Sequence, residues 1–241
     1  MIRPLVDPRL KFSEKKHEYR VGKVRLRSVT EWVKSFFVPF DGKTISKYVA
    51  ASRRRKGEKV TATQVRKEWK AKADDGTLVH RDIELYIRGE KTIVDVDNER
   101  SLNGINYYDL KLRQRYPNAQ FFPEVRIYSE ELRLAGTIDL LIITSEGNAV
   151  IVDWKTNKEI TDRANNKNPH PVTGAYPDSN LLHYTLQLSV YAYILEKEYG
   201  MSTERLCLAH LTLDECKEIV VEYKKALVKE MIRHEETITE L

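Results

Sequence analysis

The chain has 241 residues, 41% hydrophobic and 32% charged, enough apolar side chain for one good core with an appended region. Its net charge of +5 hides a split: residues 1–72 hold 21 Lys or Arg against 7 Asp or Glu, and residues 73–241 hold 20 against 29. With no apolar run of membrane-spanning length, no apolar centre in MIRPLVDPRLKF and only two cysteines, the expectation is an intracellular chain, not a membrane protein or a disulfide-stapled secreted domain.

In chain order, residues 1–72 are expected to form a β-hairpin and helices that bind nucleic acid through their basic surplus. The sharpest cluster is SRRRKGEK (52–59), with Arg53, Arg54 and Arg55 as candidate phosphate contacts and a solvated helix face as the plain alternative. Trp32, Phe36, Phe37, Phe40 and Tyr48 are interleaved with these basic residues. They are expected chiefly to build the region's small core, with base stacking as the second reading.

The stretch GTLVHRDIELYIRG (76–89) reads as a helix capped by Asp74 or Asp75, on which His80 and Glu84 share a face. FFPEVRIYS (121–129) alternates into a strand, and a turn at Glu130-Glu131 would set Glu124 opposite Thr137 and diagonally beside Asp139. Next comes AGTIDLLIITSEGNAVIVDWKT (135–156), two β-branched runs around a turn cluster. If the loop is Ser145-Glu146-Gly147, Thr144 faces Asn148 and Asp139 lies opposite Asp153, with Lys155 on the same face. Apolar residues on both faces imply strands covered on both sides. Neighbouring buried carboxylates repel, and a divalent cation resolves that conflict. A buried Asp–Lys ion pair beside a protonated aspartate would resolve it too.

Residues 160–180 lack periodicity and read as a flexible flap over a substrate channel. NLLHYTLQLSVYAYILEKEYG (180–200) reads as an apolar helix ending at Gly200, with His183, Gln187 and Tyr191 along it. A strand over 206–213 and an amphipathic helix over 217–240 complete the pattern.

That order is helix with Gly-Thr-x-x-His, strand with Glu, strand with Gly-x-x-Asp, strand with Asp-x-Lys, helix with Gln-x-x-x-Tyr, strand. It resembles the PD-(D/E)xK nuclease superfamily, and within it the RecB-like exonuclease branch, from Gly76 to about Leu213. The chain is similar in character to phage exonucleases and to the mitochondrial genome maintenance exonuclease. The resemblance implies an α/β fold with a restriction-endonuclease-like αβββαβ core: a central mixed four-stranded sheet flanked by helices. This core would span 73–241, with the basic N-terminal region, 1–72, appended.

For the site, the resemblance implies a metal held by His80, Asp139, Asp153 and the Trp154 carbonyl, with Lys155 as the catalytic lysine. Glu124 would join Asp139, Asp153 and Lys155 in the catalytic set, and Gln187 and Tyr191 would position the lysine and the nucleic-acid strand. Glu84 is a further candidate near the metal. The expected cofactor is magnesium, with manganese substituting. Iron–sulfur members of the branch need four cysteines; Cys207 and Cys216 alone imply no cluster. Nothing resembles a P-loop, so no helicase motor is expected in this chain.

The implied activity is a metal-dependent DNA exonuclease acting on single-stranded DNA or DNA ends, in replication, recombination or repair, in a host or phage setting. A structure-selective endonuclease on the same fold is the alternative, and a non-cleaving DNA-binding module the third. The last is disfavoured because every motif residue is present.

Overall fold

The computed structural model describes residues 3–163 and 168–239. The polypeptide opens with three short strands, β1 (Leu10–Ser13), β2 (Glu18–Val21) and β3 (Val24–Ser28), paired antiparallel in sequence. Ser28 ends β3 and caps α1 (Val29–Lys34) by accepting from the Glu31 N–H. Then come α2 (Gly42–Arg55) and α3 (Ala62–Ile87). After α4 (Glu99–Tyr107) the chain passes through a π-turn, Tyr108–Leu112, and a single turn, α5 (Arg113–Arg115).

The central strands follow: β4 (Gln120–Ser129), β5 (Leu134–Ile143) and β6 (Ala149–Lys155). The chain then forms α6 (Asn180–Tyr199), β7 (Thr203–Leu211), β8 (Cys216–Val221) and α7 (Lys225–Thr239). The strands form one mixed sheet in which β6 runs parallel to β7, while the β4–β5, β5–β6 and β7–β8 pairs are antiparallel. Short parallel pairing of β3 with β5 at Arg27–Leu134 and Ser28–Ala135 joins the N-terminal strands to this sheet. The four core strands expected are therefore half of an eight-stranded sheet.

Helices cover both faces. One apolar core packs α1, α6 and α7 on residues such as Ile127, Leu141 and Ile151. The other packs α3 and α4 on Leu140, Ile142, Val150 and Trp154. Burial on both sides explains why β5 and β6 read as nearly continuous apolar runs.

The β5–β6 hairpin has the expected register: Thr144 N–H donates to Asn148 at 2.9 Å, Gly147 takes φ +81°, and Leu140 pairs with Val152. The β4–β5 connection differs. It has four residues, with Ser129 opposite Leu134 and Arg133 at φ +53°, so Arg126 faces Thr137 and Glu124 lies level with Asp139. The slip is two residues, and side chains repeat every two, so Glu124 keeps the face expected of it.

Two other expectations are corrected, and a third is given its contacts. The helix carrying His80 begins at Ala62, in a Thr61–Gln64 capping box, not at residue 76. Asp74 and Asp75 are therefore mid-helix, and α3 runs straight through the 72/73 composition boundary. Residues 216–221 are the edge strand β8, so the final helix starts at Lys225, and Cys216 lies in a strand instead of a helix start. In the expected flap, 164–167 lie outside the described residues. The following segment is docked, since Asn168 and Thr173 both donate to the Phe36 carbonyl and Asp178 and Ser179 are buried.

Candidate active site

Four elements converge on one end of β5 and β6. α3 brings His80, β4 brings Glu124, β5 brings Asp139, and β6 brings Asp153 and Lys155. Two glycines of the sequence motifs allow the approach. A Cβ on Gly76 would meet Thr156 Oγ1 at 2.8 Å, so only glycine lets α3 lie against the end of β6. A Cβ on Gly136 would sit 2.4 Å from the Tyr191 ring, which fills that space.

His80 Nδ1 lies 3.4 Å from Asp139 Oδ2, which also accepts from the Trp154 N–H at 2.8 Å. Ligand atoms of His80, Glu124 and Asp139 all lie within 4.8 Å of one another, close enough to share one ion. Glu124 reaches this position through backbone at φ +53°, which drops it from the ladder between the pairs Pro123–Leu140 and Val125–Ile138. A non-glycine residue in that region within a strand is strained, and such strain gathers at functional sites.

Asp153 lies beside this cluster. Its Oδ2 takes the Lys155 ammonium and its Oδ1 accepts from Gln187 Nε2 at 3.3 Å. Gln187 also donates to the Tyr191 hydroxyl at 3.2 Å, and the Lys155 ammonium lies 4.4 Å from the Tyr184 ring centroid. Trp154 turns its indole into the opposite core and presents its N–H to Asp139. Glu84 is held by Arg81 and Arg88 on the cleft wall, outside the cluster.

The electrostatics show strong demand for positive charge. Burial pushes the Glu124 carboxyl up, and neighbouring Asp139 pushes it further. Burial likewise raises Asp153. Burial opposes the His80 imidazolium, yet Asp139 outweighs it and lifts His80 to about 9. Burial also opposes the Lys155 ammonium, and Asp153 outweighs it, so the lysine stays charged. A carboxylate pair with one imidazole is a donor set that suits a hard divalent ion, which answers that demand at one point. The residues fit such an ion.

Two openings reach the centre. A cleft of about 800 Å³ is lined by Phe12, Tyr19, Lys72, Gly76 and Glu124 among others. A smaller one of about 350 Å³ is lined by Lys34, Asp153, Lys155, His183 and Tyr184. Thr30, His80, Asp139 and Gln187 border both. Thr30 and Lys34, four apart on α1, and Tyr19 on β2 are site residues the sequence did not disclose. Their helix and strand meet the core through contacts remote in sequence: the β3–β5 pairing, the packing of α1 on α6, and the Tyr19 hydroxyl on Thr137 Oγ1.

The arginine cluster lies elsewhere. Arg53 is bound by Glu58 at 2.7 Å and Glu68 at 2.6 Å, and Arg54 donates to the Val60 carbonyl. Arg55 is exposed, with no ion pair among the described residues. Glu68 precedes His80 by twelve residues of helix, about 18 Å at 1.5 Å per residue. We therefore expect Arg54→Ala with Arg55→Ala to flatten the slope of log affinity against log salt by roughly 0.7 to 0.9 per lost contact, and Arg53→Ala to change it little. Titrating labelled DNA in calcium across a salt series measures this. An unchanged slope in the double variant means the cluster is solvated surface.

A mixed sheet between helices, with acids and a charged lysine gathered at adjoining strand ends, has the architecture of a nuclease core. The profile of the PD-(D/E)XK nuclease superfamily matches residues 43–241, and the chain belongs to that superfamily. It is also 30% identical over 114 residues to a subunit of the ATP-dependent helicase/nuclease of Carboxydothermus hydrogenoformans, a similarity covering 44% of this chain and 9% of that protein. This agrees with the RecB-like branch named from the motifs. Among solved structures, a candidate exonuclease from Eubacterium rectale aligns over 87% of this chain and 77% of its own, at 13% identity and a TM-score of 0.42. SSO0001 aligns over 67% and 71%, at 18% identity and a TM-score of 0.31. Among the described residues no helix is long and apolar enough to cross a membrane.

Proposed function

We propose that this nuclease is a divalent-metal-dependent DNA exonuclease that cuts single strands or single-stranded ends. The observation that carries the reading is the meeting of the two clefts at the His80–Asp139 centre, with Thr30 of α1 bordering both. A strand entering one opening would cross the catalytic residues and leave by the other. DNA as substrate is supported by the superfamily and by the stretch shared with a component of a helicase/nuclease.

His80, Glu124 and Asp139 would hold the metal, with Asp153 alongside and the Trp154 carbonyl as the further ligand its branch suggests. Bound magnesium or manganese supplies a Lewis acid that makes water a nucleophile near neutral pH. Trp154 N–H fixes the Asp139 carboxylate, and Gln187 fixes Asp153. Lys155, held by Asp153 and Tyr184, presents its ammonium where it can orient water and offset charge on the attacked phosphate. By resemblance the products carry 5′-phosphate and 3′-hydroxyl ends. In this reading residues 1–72 bind and enclose the strand, and replication, recombination or repair is the setting.

The test is a digest of end-labelled single- and double-stranded DNA in magnesium, manganese, calcium or EDTA. Magnesium and manganese are expected to support cutting, EDTA to abolish it, and calcium to permit binding alone, because calcium coordinates more loosely and activates water poorly. His80→Ala and Glu124→Ala are each expected to raise the metal concentration giving half-maximal rate. Cleavage in EDTA would refute metal dependence, and an unshifted metal curve in both variants would remove them from the ligand set.

A further inference from the structure

The catalytic centre leaves one aromatic pair unused. Phe40, between α1 and α2, is 71% exposed, and its ring centroid lies 5.8 Å from that of Trp69 on α3. Trp69 is half-buried, one side packed on the small core of Ala50, Val60 and Val65. Exposed aromatics scattered singly need no explanation. This pair is distinguished by where α3 places it.

Trp69, Ala73, Gly76 and His80 follow one another at the three- and four-residue steps that make one stripe of a helix, and Lys72 lies three residues after Trp69 and four before Gly76. Lys72, Ala73, Gly76 and His80 all line the large cleft. Trp69 therefore continues the cleft wall by one turn, eleven residues or about 16 Å from His80 along the axis. Exposed Lys72 lines the same track, and exposed Lys43 follows Gly42, the residue beside Phe40 and Trp69; neither is in an ion pair among the described residues, and both suit a phosphate backbone. The Phe40 ring lies close over Gly42, where a Cβ would come within 3.3 Å of it.

We propose that Phe40 and Trp69 form a stacking platform for the unpaired bases of single-stranded DNA. It rests on the reading of the site as a DNA nuclease and specifies how the strand is held. At about 3.4 Å per stacked nucleotide the platform engages bases roughly five nucleotides or fewer from the bond that is cut. Unpaired bases offer free faces to aromatic rings whatever their identity, whereas duplex bases are already stacked, so the platform selects single strands without reading sequence.

Fluorescence tests this without cleavage. Trp32 and Trp154 are 1% and 2% exposed, so Trp69 is the tryptophan a base can reach. Titrating the full chain in EDTA with a long oligothymidylate should quench the emission, and Trp69→Leu should abolish the quenching. Anisotropy should show affinity falling about tenfold in Phe40→Ala and in Trp69→Leu, and recovering in Trp69→Phe, since leucine fills the small core but cannot stack. In magnesium, the rise in KM should shrink as the strand is shortened below the platform's reach. Binding without quenching, or an equal loss at every strand length, overturns the platform and leaves Trp69 as packing. Quenching with no cleavage by the parent protein upholds the platform and overturns the nuclease reading.

Discussion

Lys155→Ala is expected to lower phosphodiester cleavage by at least ~100-fold while DNA binding survives, the usual scale for removing a positioned catalytic group. Of the positively charged groups at the site, Lys155 is the one outside the proposed ligand set. It is fixed from two sides, by the Asp153 carboxylate and by the Tyr184 ring, and so meets the phosphate without searching. In the proposed function Lys155 meets one phosphate, the one attacked, and the rest of the strand is held elsewhere along the cleft, so affinity measured in calcium should stay close to the parent value. Its removal leaves the buried Asp153 carboxylate with Gln187 alone, and some stability should be lost with it. A thermal melt beside each rate separates the two effects, and Lys155→Arg restores the charge without the geometry. Asp139→Ala should fall as far, because Asp139 anchors both the His80 imidazole and the Trp154 N–H. Near-normal cutting by a folded Lys155→Ala protein removes the lysine from the mechanism.

The residues of that prediction are legible because their geometry is local. Ser145–Gly147 announces a tight turn, and counting outward from it puts Asp139, Asp153 and Lys155 on one face without knowledge of the rest of the chain. Legibility fades wherever the deciding contact is remote or the backbone unusual. Nothing in Glu130–Arg133 shows that Arg133 will adopt φ +53° and lengthen the turn to four residues. Glu124 can be picked out from its strand and set on the face of Asp139, but its left-handed backbone has no sequence signal.

Gly76 after two aspartates imitates a helix start, though it is needed for close approach to Thr156. The true start, Thr61 with Gln64, is readable as a capping box. The aromatic run of the N-terminal region divides in a way composition cannot show. Trp32, Phe36 and Phe37 are buried, while Phe40 and Tyr48 are exposed. The placement of α1 beside the site depends on β3 pairing with β5 across more than a hundred residues and on packing against α6, and no local pattern encodes either.

That remote packing motivates the second large effect: covalently closed single-stranded circles should resist digestion while linear strands of the same sequence are degraded. Phe37 packs on His183 of α6 at 4.0 Å between ring centroids, and Phe40 packs on Trp69 of α3. The short connection from α1 to α2 therefore passes from the helix of Gln187 to the helix of His80. Asn168 and Thr173 hold its near end by donating to the Phe36 carbonyl. In the threading reading this connection arches over the bound strand, which then has to enter by its end unless the arch opens. Linear single strands and tailed duplexes should thus be cut faster than blunt duplex, which must first fray. Circular and linear strands are compared in one magnesium time course, with Lys155→Ala protein as the control for contaminating nuclease. Weakening the arch gives the internal check, since Asn168→Ala with Thr173→Val should raise cutting of circles relative to linear strands. Circles opened by the parent protein as fast as linear strands are shortened would show that the groove admits a strand sideways, and the endonuclease reading would take the place of threading.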